Sequence, residues 1–207
     1  MSDPLERALR APAPRAHGAA RRFADRAAAA GEADLAYTTV ASPLGELLLV
    51  AGRSGLTQMH YLDQPLDPLL ATLARRRSPR IVESASALDP WRRELDEYFS
   101  GSRRRFEAPL DWEAMAPFQR AVLRATAAIP YGETSTYAAI AERIGAPKAY
   151  RAVGAANGAN PAAIVVPCHR VLGSDGTLTG YGGGLAAKRA LLDHEHDTCE
   201  APDDISH

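Results

Sequence analysis

A mixed α/β fold of the α+β type is predicted by three features of the 207-residue sequence. Residues 35–110 carry short strand-like runs divided by turn signals. From about Met115 onward apolar residues recur at helical spacing instead. Hydrophobic types make up 46% of the chain and charged types 24%, enough apolar surface for one or two small cores.

Composition excludes several classes. With 2 cysteines, neither in a C-x-x-C spacing, the chain is neither disulfide-stapled nor built on a cysteine zinc site. No run approaches the ~20 apolar residues of a membrane span, and the N-terminus lacks the charged-then-apolar order of a secretion signal, so a soluble intracellular protein is expected. The net charge of -1 hides an uneven distribution. Residues 193–207 hold six acids and no Lys or Arg, whereas the stretch between residues 34 and 193 is mildly basic. That permits contact with nucleic acid without demanding it.

The elements follow in order. Residues 1–34 are Ala-, Arg- and Pro-rich with almost no large aliphatic residue after Leu9, so a disordered tail is expected. Leu35 to Val40, Glu46 to Ala51 and Leu56 to Tyr61 read as strands of a small antiparallel sheet, split at Ser42-Pro43 and at Gly52 to Gly55. Asp67-Pro68 opens a helix with Leu69, Leu70 and Leu73 inward, and Asp89-Pro90 opens another with Trp91, Leu95 and Tyr98 inward, closed by Gly101. Arg105 to Leu110 is expected to complete the sheet. This half, residues 35–114, shows no cluster of His, Cys and carboxylates, and its expected role is support.

Residues 115–197 hold the chemistry, followed by an acidic tail over 198–207. Pro117 begins a helix with Phe118, Val122, Ala125 and Ile129 on one face, ended by Pro130. A second follows Thr134 or Ser135 as N-cap, with Tyr137, Ile140, Ala141 and Ile144 inward and Gly145 as its stop. Pro147 suits the first position of a third, carrying Lys148, Arg151 and Val153 and fading near Gly158. The pair forms a helix-turn-helix pattern, and the small residues around Gly154 would let a phosphate backbone approach closely beside Arg151. A plain packed helix pair is the competing reading.

Ile164 to Val166 is an apolar run of strand type ended by Pro167, immediately before Cys168, His169 and Arg170. Backbone N–H groups after Pro167 and a nearby imidazole would favour thiolate over thiol at Cys168. Adjacent residues of an extended strand face opposite ways, so Cys168 and His169 need a turn or a bridging water to cooperate. Glu195, on an apparent helix from Lys188 to Glu195, is the candidate to orient His169.

The run Asn160-Pro161-Ala162-Ala163-Ile164-Val165-Val166-Pro167-Cys168-His169-Arg170-Val171, then Gly180-Tyr181-Gly182-Gly183-Gly184-Leu185 and Leu191-Leu192-Asp193-His194-Glu195, closely resembles the O-6-alkylguanine-DNA alkyltransferases. Upstream, Tyr131-Gly132-Glu133-Thr134-Ser135-Thr136-Tyr137 and Pro147-Lys148-Ala149-Tyr150-Arg151-Ala152-Val153-Gly154 match in order and spacing. The resemblance covers residues 115–196 strongly. Residues 35–111, with Ser42-Pro43-Leu44-Gly45, resemble the family's ribonuclease-H-like N-terminal domain more loosely, and the C-terminal half its winged-helix-like DNA-binding domain.

The resemblance implies repair of double-stranded DNA containing O-6-alkylguanine, with O-4-alkylthymine a further candidate substrate. The alkyl group passes irreversibly and once per molecule to Cys168. His169 deprotonates Cys168 through a water, Glu195 orients His169, and Asn160 braces the cysteine segment. Arg151 fills the gap left by the flipped nucleotide, with Gly154 allowing close approach in the minor groove. Tyr137 crowds the phosphate and donates a proton toward the departing guanine. Val171, Tyr181, Gly182 and Gly183 line the guanine pocket. A monomer in the cytoplasm, nucleoid-associated if bacterial, is implied, with cooperativity along DNA left open.

Departures are visible. Some members carry serine where Gly182 stands, and some have an N-terminal zinc site that the absence of cysteine before Cys168 argues against. Cys199 lies beyond the match and reads as an exposed spectator. No cofactor is implied, because Leu185 breaks a G-x-G-x-x-G pattern and no phosphate-loop lysine follows. Rival readings are a Cys-His hydrolase, a lesion-binding protein without transfer, and a methylation-sensing regulator.

Overall fold

The computed structural model describes residues 14–200. Residues 1–13 and 201–207, the outer parts of the two expected tails, lie outside the described residues. Four strands form the first sheet: β1 (Leu35–Ser42), β2 (Gly45–Gly52), β3 (Gly55–Tyr61) and β4 (Ile81–Glu83), in the order β3-β2-β1-β4. The first three pair antiparallel as a meander and β4 joins β1 in parallel.

Alternation along β2 explains its unbroken apolar run. Leu47 and Leu49 face the main core with Trp91, Leu95 and Tyr98. Leu48 and Val50 face the other way, toward Leu73 on helix α2 (Leu66–Arg76). Both faces of the strand are covered, so both sets of side chains are apolar.

Two expectations for this half and the stretch before it are corrected. A helix, α1 (Pro14–Ala29), occupies much of the stretch expected to be disordered. Alanine has the highest helix propensity and loses no side-chain entropy, so an Ala-rich segment needs few large residues to fold. Ala27 is buried, and the Asp25 carboxylate accepts from Ser84 Oγ at 2.5 Å and Ser86 Oγ at 2.8 Å. The strand expected at Arg105 to Leu110 is absent. The N–H groups of Glu107 and Ala108 go instead to the buried Glu94 carboxylate, at 2.9 and 3.0 Å. The segment's ladder contact with the sheet is the single bridge of Leu110 opposite Leu56, where Leu56 N donates to Pro109 O at 2.9 Å, and β4 supplies the fourth strand. Gly55, at φ +123°, is required here, because a Cβ would collide with the Pro109 carbonyl.

Helix α3 (Asp89–Phe99) buries Trp91, Leu95 and Tyr98 and leads through a 3₁₀ turn at Trp112–Ala114 into the helical half. There α4 (Pro117–Ala127), α5 (Tyr137–Arg143) and α6 (Tyr150–Gly158) enclose a core of Val122, Ala125, Ile140, Ala141, Val153 and Val171. The N-cap of α5 is Thr136, whose Oγ1 accepts from Ala139 N at 3.1 Å, rather than Thr134 or Ser135. Ser135–Thr136 are instead strand β5, paired in parallel with β6 (Val171–Leu172). Phe118, expected inward, is 41% exposed. A 3₁₀ turn at Pro147–Ala149 precedes α6, and Gly145 at φ +73° makes the sharp link between α5 and α6.

The two halves share one core. Met115, Leu123, Ala162, Ile164, Val166 and Leu191 pack in the same cluster as Leu47, Met59, Trp91 and Tyr98. Met59 N also donates to Pro161 O at 2.6 Å, fixing the edge of the sheet to the segment before the cysteine. The last helix, α7 (Gly184–Glu200), is longer than expected at both ends and takes in the first residues of the acidic tail. Among the described residues no helix is long and apolar enough to cross a membrane.

Candidate active site

The apolar run Ile164 to Val166 forms a tight turn instead of a strand. Val165 N and Val166 N donate to Ala163 O and Ala162 O at 2.9 and 2.8 Å, and Ile164 sits at φ +71°. That region is unfavourable for a β-branched residue and costs about 1–3 kcal/mol. Burial of Ile164 in the shared core helps hold it there. Asn160 also braces the turn: its Oδ1 accepts from Ala162 N at 3.0 Å and its Nδ2 donates to Val166 O at 2.8 Å. The same Nδ2 reaches Cys168 Sγ at 3.1 Å.

Pro167 then leads into the 3₁₀ turn Cys168–Arg170, and a turn is one of the two routes, with a bridging water, by which neighbouring Cys and His can cooperate. Cys168 is 7% exposed, His169 fully buried and Glu195 1% exposed. His169 Nε2 lies 2.8 Å from Glu195 Oε1. An ionised carboxylate only accepts, so Nε2 carries the proton and Nδ1 presents its lone pair. Nδ1 is buried without a protein hydrogen-bond partner.

Glu195 is surrounded by donors. Oε1 receives Tyr98 Oη at 2.7 Å, His169 Nε2, and a guanidinium nitrogen of Arg170 at 2.9 Å. Oε2 receives Arg170 Nε at 2.8 Å and Gly132 N at 3.1 Å. Burial pushes this carboxyl up, but hydrogen bonds from His169 and Arg170, with the Arg170 charge, outweigh it and bring it to about 2. Burial moves His169 the other way, below its ordinary range, with Glu195 opposing. The imidazole is therefore neutral and free to accept a proton at neutral pH.

Cys168 departs from the expectation of a resting thiolate. Burial pushes its thiol up, against the opposing influence of the Asn160 amide and the Lys188 ammonium. Its own backbone N–H is directed to Val166 O at 2.8 Å. The site thus holds a thiol next in sequence to a neutral imidazole, and a thiol becomes a strong nucleophile only when its proton is moved away.

Stability should report these burials. A group whose folded pKa lies below its unfolded value contributes stability that is complete above the unfolded pKa and fades as pH falls. For His169 and the half-buried His60, both depressed by burial, loss begins below about pH 6.5. For Glu195 it begins below about pH 4.3 and continues toward 2. Melting temperature is expected to fall between pH 7 and 5, and a His60→Gln variant to keep the His169 share; a flat profile over that interval would contradict the assignment.

The remaining expected residues fall into two groups. Val171 is fully buried, and Tyr181 sets its ring edge-on to His169 with centroids 6.3 Å apart and its hydroxyl 3.1 Å from that of Tyr61. Gly182 has open space where a side chain would stand, whereas a Cβ at Gly183 would come within 2.5 Å of the Tyr61 ring. On the helix-turn-helix, Tyr137 Oη meets Thr179 Oγ1 at 2.8 Å. A Cβ at Gly154 would only touch the Tyr137 ring, at 3.8 Å, so packing within the chain does not demand this glycine. Arg151 is exposed in the first turn of α6, its guanidinium 5.7 Å from the Tyr150 ring centroid.

Sequence reasoning missed four contributors. Tyr98 and Tyr61 come from the half expected only to support. Arg170 stood beside the cysteine, but its burial against Glu195, with a further bond to Ile129 O at 2.6 Å, is a tertiary fact. Lys188 is fully buried and donates to Val171 O and Thr179 O at 2.6 and 3.0 Å. Its signal was present: Lys188, Leu191 and Glu195 lie at i, i+3 and i+7 on one helix face. Cys199 is exposed, as expected, with Sγ 3.9 Å from Tyr131 O.

Known proteins resemble this chain in sequence and in fold. Residues 35–112 match the ribonuclease-like domain and residues 117–197 the DNA binding domain of 6-O-methylguanine DNA methyltransferase. The methylated-DNA–protein-cysteine methyltransferase of Mycobacterium bovis is 45% identical over 170 residues, 82% of this chain and 96% of that protein. The inducible one of Bacillus subtilis is 46% identical over 143 residues, 68% and 79% of the two chains. The crystal structure of Mycobacterium tuberculosis O6-methylguanine methyltransferase has a TM-score of 0.71 at 43% identity, covering 82% of this chain and 96% of that one. Mycobacterium tuberculosis OGT in complex with DNA gives 0.67 at 43% identity, covering 79% and 94%. On two matched domains and these relatives, the chain belongs to the 6-O-methylguanine DNA methyltransferase family.

Proposed function

We propose that this chain repairs DNA by direct reversal, taking the alkyl group from O-6-alkylguanine, and from O-4-alkylthymine, onto Cys168. The observation that carries the reading is the buried thiol beside a neutral His169 whose Nε2 is tied to Glu195 and whose Nδ1 is unpartnered. In the step, the thiol proton passes through a water to Nδ1. Sulfur then forms a bond to the alkyl carbon as the carbon–O6 bond breaks, and the electron pair leaves with the guanine, which takes up a proton from Tyr137. A thiolate suits displacement at saturated carbon, and the thioether has no easy leaving path, so each molecule reacts once.

The other residues serve access. A base inside a duplex cannot reach a buried sulfur, so it must be flipped out at a cost of a few kcal/mol. Arg151 fills the gap, with Gly154 presenting a low surface to the minor groove. Val171, Tyr181, Gly182 and Gly183 hold the guanine, Gly182 through its backbone alone. Asn160 fixes the cysteine turn. The partner is duplex DNA, the acting species a monomer, and the compartment the cytoplasm, in association with the nucleoid if the source is bacterial.

The test is intact-protein mass spectrometry after incubation with a duplex bearing one O-6-methylguanine. One methyl increment of ~14 Da is expected, mapped to Cys168, never exceeding one per molecule and absent in Cys168→Ala. Tight lesion binding without an increment would favour a damage-flagging protein instead.

A further inference from the structure

Tyr98 takes no part in the steps proposed above, yet among the described residues it is the only group from residues 35–112 that hydrogen-bonds the Glu195 carboxylate. Its ring is fully buried and held by Phe106, Tyr131 and His194, with centroids 5.4, 5.9 and 5.4 Å away. The end of α3 is tied to α7 besides, because His194 Nε2 lies 2.8 Å from Tyr98 O. The phenol therefore has little freedom to turn, and its hydroxyl is fixed 2.7 Å from Glu195 Oε1.

That oxygen is the one His169 Nε2 uses, at 2.8 Å. A donor on a carboxylate oxygen withdraws negative charge from it, and that charge is what stabilises an adjacent imidazolium. Arg170 also reaches Oε1, but it spans both oxygens and compensates the carboxylate as a whole, and Gly132 N acts on Oε2. Tyr98 loads only the shared oxygen. Burial and the facing carboxylate hold its phenol far above the ordinary range, so it remains a donor at every working pH.

We infer that Tyr98 is a positioning residue through which the N-terminal domain sets the basicity of His169, keeping the imidazole a base that releases its proton again. The inference rests on the reading of Cys168 as alkyl acceptor and His169 as its base. It gives the sheet domain a chemical role through one hydrogen bond. The other charged and titratable groups facing the pair are Arg170 from the cysteine turn, Lys188 from α7, the Tyr131 and Tyr181 phenols, and Cys168 as the chain neighbour of His169. None of them is altered by the substitution that removes the Tyr98 hydroxyl.

The test is Tyr98→Phe in the full chain, with the pH dependence of single-turnover methyl transfer and the NMR titration of the His169 ring read side by side. Loss of the hydroxyl is expected to raise the proton affinity of His169 about tenfold and to move the acid limb of the rate profile upward to match. Site-specific 3-fluorotyrosine at 98, a stronger donor of nearly the same shape, is expected to shift both in the opposite direction. That second variant keeps the test open if Tyr98→Phe folds poorly. A lower melting temperature with an unmoved profile and titration would reduce Tyr98 to packing and overturn the inference. If the unaltered protein gains no methyl on Cys168, the reading beneath the inference fails instead, and the two failures are separable.

Discussion

Glu195→Gln is expected to slow methyl transfer to Cys168 by about 10²–10⁴-fold while lowering stability by roughly 3–5 kcal/mol. The carboxylate accepts from Tyr98, His169, Arg170 and Gly132 and donates to none of them. An amide of the same shape carries two N–H donors that must face some of these donors, and it removes the negative charge that Arg170 was buried against. His169 then loses both its tautomer lock and the stabilisation of its protonated form. The measurement is single-turnover transfer by mass spectrometry, with thermal melting on the same sample. A folded variant reacting within tenfold of the unaltered chain would show that His169 needs no carboxylate. Stability loss at full rate would make Glu195 a structural residue alone.

Arg151→Ala should separate access from chemistry. Arg151 stands exposed at the start of α6, and the hydrogen bonds joining Cys168, Asn160, His169 and Glu195 do not pass through it. If it fills the space of a flipped nucleotide, its loss removes part of the few kcal/mol that offset unstacking, so repair of O-6-methylguanine in a duplex is expected to slow on the order of 100-fold. Reaction with free O-6-benzylguanine, which needs no flipping, should change less than about threefold. Equal losses with both substrates would assign Arg151 to the chemistry or to the fold.

Legibility in the sequence followed the range of the interactions. The strands β1 to β3, the helices α2 to α6 and the inward positions of Trp91, Leu95, Tyr98, Val122 and Ile140 could be read from alternation, helical spacing and punctuation by Pro and Gly, all local signals. The errors came where a distant partner decided. Arg105 to Leu110 alternates as a strand does, with Phe106, Ala108 and Leu110 apolar, but Glu94 takes the N–H groups of Glu107 and Ala108. Ile164 to Val166 has the β-branched residues of a strand, but Asn160 and the core around Ile164 bend it into a turn. Helix α1 escaped notice because alanine helices bury little apolar mass and gain order by docking, here through Asp25 on Ser84 and Ser86.

For the site, the sequence by itself named the candidate residues and their order: the Pro167-Cys168-His169-Arg170 run, an acid at Glu195 on a helix with Leu191 inward, and, through the family resemblance, Asn160. Local chain geometry also required a turn or a bridging water between Cys168 and His169, because adjacent residues of an extended strand face opposite ways. What only the tertiary structure decided is the protonation. The thiol at Cys168, the neutral His169 and the ionised Glu195 all follow from burial set against particular donors, and those donors come from residues as distant as Tyr98, Gly132 and Lys188. Desolvation and hydrogen bonding depend on what surrounds a group in space, which one-dimensional spacing does not encode until the sheet, the cysteine turn and α7 close around it.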